Sequence, residues 1–204
     1  MLEAIISLAF TTFLLLGSPG PAPLALAAVG ASSGIREGVP FLLGILSGLL
    51  VAIVASATGL GALLLSFPQL THLLQVAALL YLLYVAYKIA TNKSALSSTG
   101  DKSVGFMDGF ILNLFNPKAY AACIAIFANT ALPFESQVQA SVVAASILFA
   151  VAIVADALWL YFGGVLHRVV KTSQQLRYLR LFFASLLVLL LGYVTLSSNL
   201  ILSF

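Results

Sequence analysis

Apolar residues run along this chain in blocks near residues 2–33, 39–66, 68–90, 106–132, 138–166 and 179–202, each bounded by a few small or polar positions. A helix needs roughly 20 mostly apolar residues to cross about 30 Å of hydrocarbon, and each block reaches that length. Val39 to Tyr87 holds no charged residue, yet it is too long for one crossing. Ser66-Phe67-Pro68 divides it, because proline suits the first turn of a helix and the residue before it avoids helical angles. The pattern predicts six transmembrane helices. The polar stretch from Thr91 to about residue 104 is the one linker long enough to mark a midpoint, so the chain reads as one domain, 1–204, with repeat 1 about 1–90 and repeat 2 about 105–204.

Composition supports lipid as the solvent. Of 204 residues, 62% are apolar and 7% charged, and the mean hydropathy is +1.14. A soluble domain is about a quarter charged. A cytosolic enzyme, a disulfide-rich secreted domain and a disordered tail are thereby excluded. A net charge of +3 without a clustered basic face argues against a nucleic-acid partner. The single cysteine, Cys123, excludes an internal disulfide and a thiolate metal cage.

Charge placement predicts orientation. Arg36, then Lys88, Lys93 and Lys102, then Arg168, Lys171, Arg177 and Arg180 occupy alternate connections, which puts those loops in the cytoplasm and both termini outside. Ala25-Leu26-Ala27 looks like a signal-peptidase site. Glu3, the lack of a basic residue before the apolar run and the prolines within it argue against cleavage.

Two blocks are interrupted. Gly17-Ser18-Pro19-Gly20-Pro21-Ala22-Pro23 cannot stay regularly helical, and Asn113-Leu114-Phe115-Asn116-Pro117-Lys118 breaks the fourth block. Irregular backbone survives in a membrane only where protein or a wet cavity covers it. Three spans per half make the second half enter from the opposite side. Broken helices 1 and 4 then occupy corresponding places in two inverted three-helix repeats, the sequence mark of a transporter's central site. The alternative, prolines that merely kink packed helices, requires no cavity.

The residues carrying these breaks, together with Gly44, Gly48, Gly59 and Gly61, the run from Leu79 to Lys88 and Asp156-Ala157-Leu158-Trp159, resemble the LysE/RhtB family of bacterial amino-acid exporters over almost the whole chain. The resemblance implies an all-α polytopic inner-membrane protein that exports amino acids or related metabolites, driven by the proton motive force. Where many relatives carry a polar or acidic residue after Gly48, this chain has Leu49, which weakens any claim for a cationic substrate.

Charges at membrane depth are functional candidates. Asp156 lies about ten residues, some 15 Å of helix, from the polar end at His167-Arg168. It is expected to carry the coupling proton or to receive the substrate's ammonium group, unless it forms a permanent ion pair with Lys118. Half-helices starting after Pro21 and Pro117 can receive a carboxylate at their positive ends, with Lys118 adding a full charge. Asn113 and Asn116 offer donors and acceptors. The expected substrate-binding set is therefore Ser18, Pro19, Gly20, Pro21, Asn113, Asn116, Pro117, Lys118 and Asp156, with no catalytic residue, no metal and no cofactor.

Other residues carry weaker expectations. Asp108 is read as a helix cap or an entry gate. Gly30-x-x-x-Gly34 and Gly44-x-x-x-Gly48 are read as helix contacts, which can equally seal a homodimer. Trp159, Tyr161, Tyr81, Tyr84 and Tyr87 are read as interface aromatics. The run from Arg168 to Arg180 is expected to touch anionic membrane lipids. His72 and His167 are far apart in sequence. An ion channel or metal-ion efflux protein is the alternative reading; against it, cation efflux needs several ligands at depth and this chain offers mainly Asp156. An intramembrane protease built on Asp108 and Asp156 is a remote one, since Asp108 is expected near the membrane edge and neither residue's local context resembles such proteases.

Overall fold

The computed structural model describes residues 1–91, 104–129, 132–170 and 172–201. The linker from Asn92 to Ser103, with Lys93 and Lys102, and also Lys171 and the side chain of His72, lie outside the described residues. Among the described residues every regular element is a helix: α1 (Leu2–Gly17), α2 (Pro21–Ser33), α3 (Ile35–Ala57), α4 (Leu60–Leu65), α5 (Pro68–Thr91), α6 (Phe106–Leu114), α7 (Pro117–Asn129), α8 (Gln137–Val169) and α9 (Ser173–Ile201). Among the described residues three helices, α3, α5 and α8, are long and apolar enough to cross a membrane. Two bent pairs add to them: α1 with α2 at 66° and α6 with α7 at 59°. Phe10, Leu43, Val54, Leu158 and Phe162 face outward, an apolar surface suited to lipid.

Both interruptions thus become sharp bends. The expected second block, 39–66, is shorter than anticipated: α3 stops at Ala57, and Gly59 takes a left-handed φ of 78° before α4. The last helix starts at Ser173, six residues earlier than the apolar pattern placed it.

Two apolar cores form. One gathers around α2, whose residues Ala22 to Ser32 are all buried, against Phe41, Ile45, Leu82, Ile89, Leu160 and Phe183. The other gathers around α7, with Leu8, Leu49, Ile53, Cys123, Ile126 and Leu148. The first lies toward the end that carries Lys88, His167 and Arg180, here the basic end; the second lies toward the opposite end.

At the basic end the helices meet main chain to main chain. A Cβ on Gly44 would collide with Phe106 O, one on Gly109 with Phe41 O, one on Gly30 with Leu160 O and one on Gly163 with Ala27 O. The α3–α6 and α2–α8 contacts therefore require glycine at these positions. Gly44 and Gly30 fulfil the expected helix contact. Gly34 does not: it has a φ of 88° and forms the turn between α2 and α3.

Candidate functional site

The two bends satisfy their freed backbone groups differently. At the α6–α7 bend the chain uses its own side chains. Asn116 Nδ2 donates to Asn113 Oδ1 at 3.1 Å, and the Lys118 amide donates to Asn116 Oδ1 at 3.2 Å. Asn113 Nδ2 reaches across to Ile45 O of α3 at 2.9 Å. At the α1–α2 bend, Ser18 and Gly20 are extended, and the carbonyls of Gly17, Ser18 and Pro19 are met by the far part of the chain. Lys118 Nζ donates to Ser18 O at 2.8 Å, Ser18 Oγ at 2.9 Å and Pro19 O at 3.3 Å. Trp159 Nε1 donates to Gly17 O at 2.9 Å. The negative end of the α1 dipole faces Lys118, a favourable arrangement.

Between the bends is a small cavity of about 20 Å³, room for one water and too small for an amino acid. It sits where the two cores meet, since Ala22 belongs to one and Leu49 and Ala119 to the other. Asn113, Asn116, Lys118 and Asp156 line one part of it; Leu16, Ala22, Pro23, Leu49 and Ala119 line the rest. Asp156 is 6% exposed and, among the described residues, has no hydrogen bond and no ion-pair partner within 4 Å. The alternative of a fixed Lys118–Asp156 pair is not formed: the lysine is spent on the α1–α2 bend. Burying a carboxylate ion without a direct partner is costly.

Of the expected site residues, Asn113, Asn116, Lys118 and Asp156 meet at the cavity. Ser18 and Pro19 reach it through their bonds to Lys118, and Gly20 leaves room for that side chain, since a Cβ there would sit 2.8 Å from Nζ. Pro21 and Pro117 begin α2 and α7 rather than lining the cavity. Pro21 and Pro23 leave Ala22 the one amide N–H among the first three residues of α2, so that helix start is a poorer anion seat than the sequence suggested. Pattern reading missed Leu16, Ala22, Pro23 and Ala119 in the wall, because apolar residues in an apolar chain carry no signal.

Several side residues differ from expectation. Asp108 is a cap and also a tie: it accepts from the Gly105 amide at 2.7 Å, from Lys88 Nζ at 2.8 Å and from the Tyr81 hydroxyl at 3.3 Å. Tyr81 and Trp159 are thus bonded inside the helix assembly, whereas Tyr84, Tyr87 and Tyr161 are exposed. Arg180 is buried and donates to Ser32 O at 3.2 Å instead of projecting toward lipid heads. His167 Nδ1 lies 3.0 Å from Ala31 O.

A helical assembly with bends lined by an unpaired carboxylate, a lysine and two asparagines has the form of a membrane carrier. Residues 13–198 match the family model described as LysE type translocator. The chain belongs to the LysE family of translocators, which are transporters and not enzymes. It is 30% identical over 163 residues to a cysteine/O-acetylserine efflux protein of Salmonella choleraesuis (strain SC-B67), covering 78% of this chain and 83% of that protein. The same figures hold for the protein of that description in Salmonella typhimurium (strain LT2). A protein so described in Escherichia coli O1:K1 is 28% identical over 183 residues, covering 88% and 92%. No solved structure matches the chain. Amino-acid efflux across a membrane is the function this kinship supports.

Proposed function

We propose that the chain exports a small zwitterionic amino acid, of the cysteine or O-acetylserine kind, from the cytoplasm across the inner membrane in exchange for protons. The observation that carries this reading is Asp156: buried, unpaired, and on the wall of the same cavity as Lys118. An ammonium group or a proton neutralises the carboxylate, and a carboxylate draws Lys118 away from the Ser18 and Pro19 carbonyls. Substrate thereby competes with the α1–α2 bend for the lysine, which links binding to a change in that bend.

In this reading six spans form two inverted halves, α1–α5 and α6–α9, each opening with a bent pair. The basic end faces the cytoplasm and both termini lie outside. The halves rock about the cavity, giving alternating access. The cavity's small size fits a substrate-free state closed at both ends.

The test loads proteoliposomes with cysteine, O-acetylserine, serine and homoserine and measures efflux with and without an imposed pH gradient. Wild-type protein moves at least one of these faster when protons can enter. Asp156→Asn falls to the rate of empty vesicles under the gradient. If the variant still exchanges labelled for unlabelled substrate, Asp156 carries the proton; if exchange also stops, it receives the ammonium group. Wild-type efflux by Asp156→Asn overturns the proposal.

A further inference from the structure

The cavity wall is divided by sequence half. Everything contributed from before the linker, Leu16, Ala22, Pro23 and Leu49, lacks a side-chain donor or acceptor; every polar side chain, Asn113, Asn116, Lys118 and Asp156, comes from after it. A zwitterion with its ammonium at Asp156 and its carboxylate toward Lys118 has both charged substituents of its α-carbon directed to the second half. Its side chain is then left facing the first.

We infer that α1, α2 and α3 form a side-chain subsite, and that Leu49 sets which substrates it accepts; this rests on the export reading above. Ala22 and Pro23 belong to the rigid start of α2 and cannot adjust. Leu49 is 3% exposed and packed among the opposite-end core, so it cannot swing away. Its height is set by the preceding Gly48, where a Cβ would stand 2.8 Å from Phe110 O and 3.0 Å from Leu114 N. With α3 pressed against α6 at this level, the space in front of Leu49 is determined by the leucine itself. The subsite offers no counter-charge, so a second charge on the substrate would be buried unpaired. It therefore selects short, uncharged side chains. A methylene more or less in an apolar pocket changes preference about ten- to two-hundredfold.

The test uses Leu49→Ala, Leu49→Val and Leu49→Phe in proteoliposomes, with unlabelled serine, cysteine, methionine and leucine competing against a labelled substrate. The single tryptophan, Trp159, supplies a second readout, since it bonds Gly17 O beside the site and its fluorescence reports binding in detergent without transport. Leu49→Ala is expected to shift the ratio of methionine and leucine to cysteine upward at least about tenfold. Leu49→Val shifts it less, and carries the expectation if the alanine variant fails to fold. Leu49→Phe shifts the ratio the other way. Unchanged preference in all purified variants that still transport overturns the subsite while leaving export standing. Failure of wild-type protein to move or bind any zwitterion overturns both, and Asp156→Asn and Lys118→Gln would then behave as wild type.

Discussion

The two ends of the molecule are closed by different means. At the basic end, Gly30, Gly44, Gly109 and Gly163 bring backbones into contact, and polar ties stitch separate helices together: Lys88 to Asp108, Arg180 to Ser32 O, His167 to Ala31 O. At the opposite end the core of Leu8, Ile53, Ile126 and Leu148 is closed by interlocking side chains. Thr12 and Ser56 keep buried hydroxyl oxygens without a hydrogen-bond partner there. Side chains can change rotamer to admit a gap, whereas backbones in contact must separate as whole helices. Under the proposed alternating access, this contrast predicts that the basic end is the firmer seal and that the opposite end yields first.

This contrast can be broken in order of size. Gly163→Val places atoms where Ala27 O stands, so folded protein should be lost, read as the absence of a monodisperse peak in detergent. Ala152→Val in the opposite core is an ordinary overpacking of about 1–3 kcal/mol and should leave folded protein with a lowered melting temperature. Equal tolerance of the two would remove the distinction between the ends.

Next comes the ion pair. Its side chains are 19% and 12% exposed, and Asp108→Ala leaves Lys88 half-buried without its partner. Removing one member of a fully buried pair costs about 3–5 kcal/mol, and of this partly exposed one less. Thermal unfolding in detergent should show a large fall, and Asp108→Asn, which retains the cap and the Tyr81 contact, a smaller one. A cysteine introduced near Gly105 should react faster with a water-soluble maleimide in Asp108→Ala if the pair closes this end.

The smallest effect is expected at the bend itself. Trp159→Phe keeps the ring against α1 but removes the bond to Gly17 O, worth about 1 kcal/mol net. Stability should scarcely move, while substrate exchange speeds up or slows down because the α1–α2 bend is held less firmly. An exchange rate identical to wild type would show that Lys118 alone holds the bend.

Much of this architecture was legible in the chain before its coordinates. A proline and glycine cluster announced the first bend and Asn116-Pro117 the second, since a missing amide donor cannot be hidden by context. Asp156 stood out because charge is rare among apolar neighbours. What escaped reading was partner choice. Nothing local tells that Lys118 serves the Ser18 and Pro19 carbonyls rather than Asp156, or that Arg180 turns inward to Ser32, because each of those contacts spans about a hundred residues or more of sequence. The stop at Thr58-Gly59 was equally hidden, as the residues on both sides are apolar and only the left-handed glycine ends the helix.

Cys123 is the chain's sole thiol, and it is wholly shielded within the α7 core. A membrane-permeant alkylating reagent can therefore reach native sulfur only during moments when that packing loosens. The unmodified polypeptide thus carries its own gauge of how often this face breathes. In its resting condition it is also a nearly silent background on which engineered thiols can map every other surface.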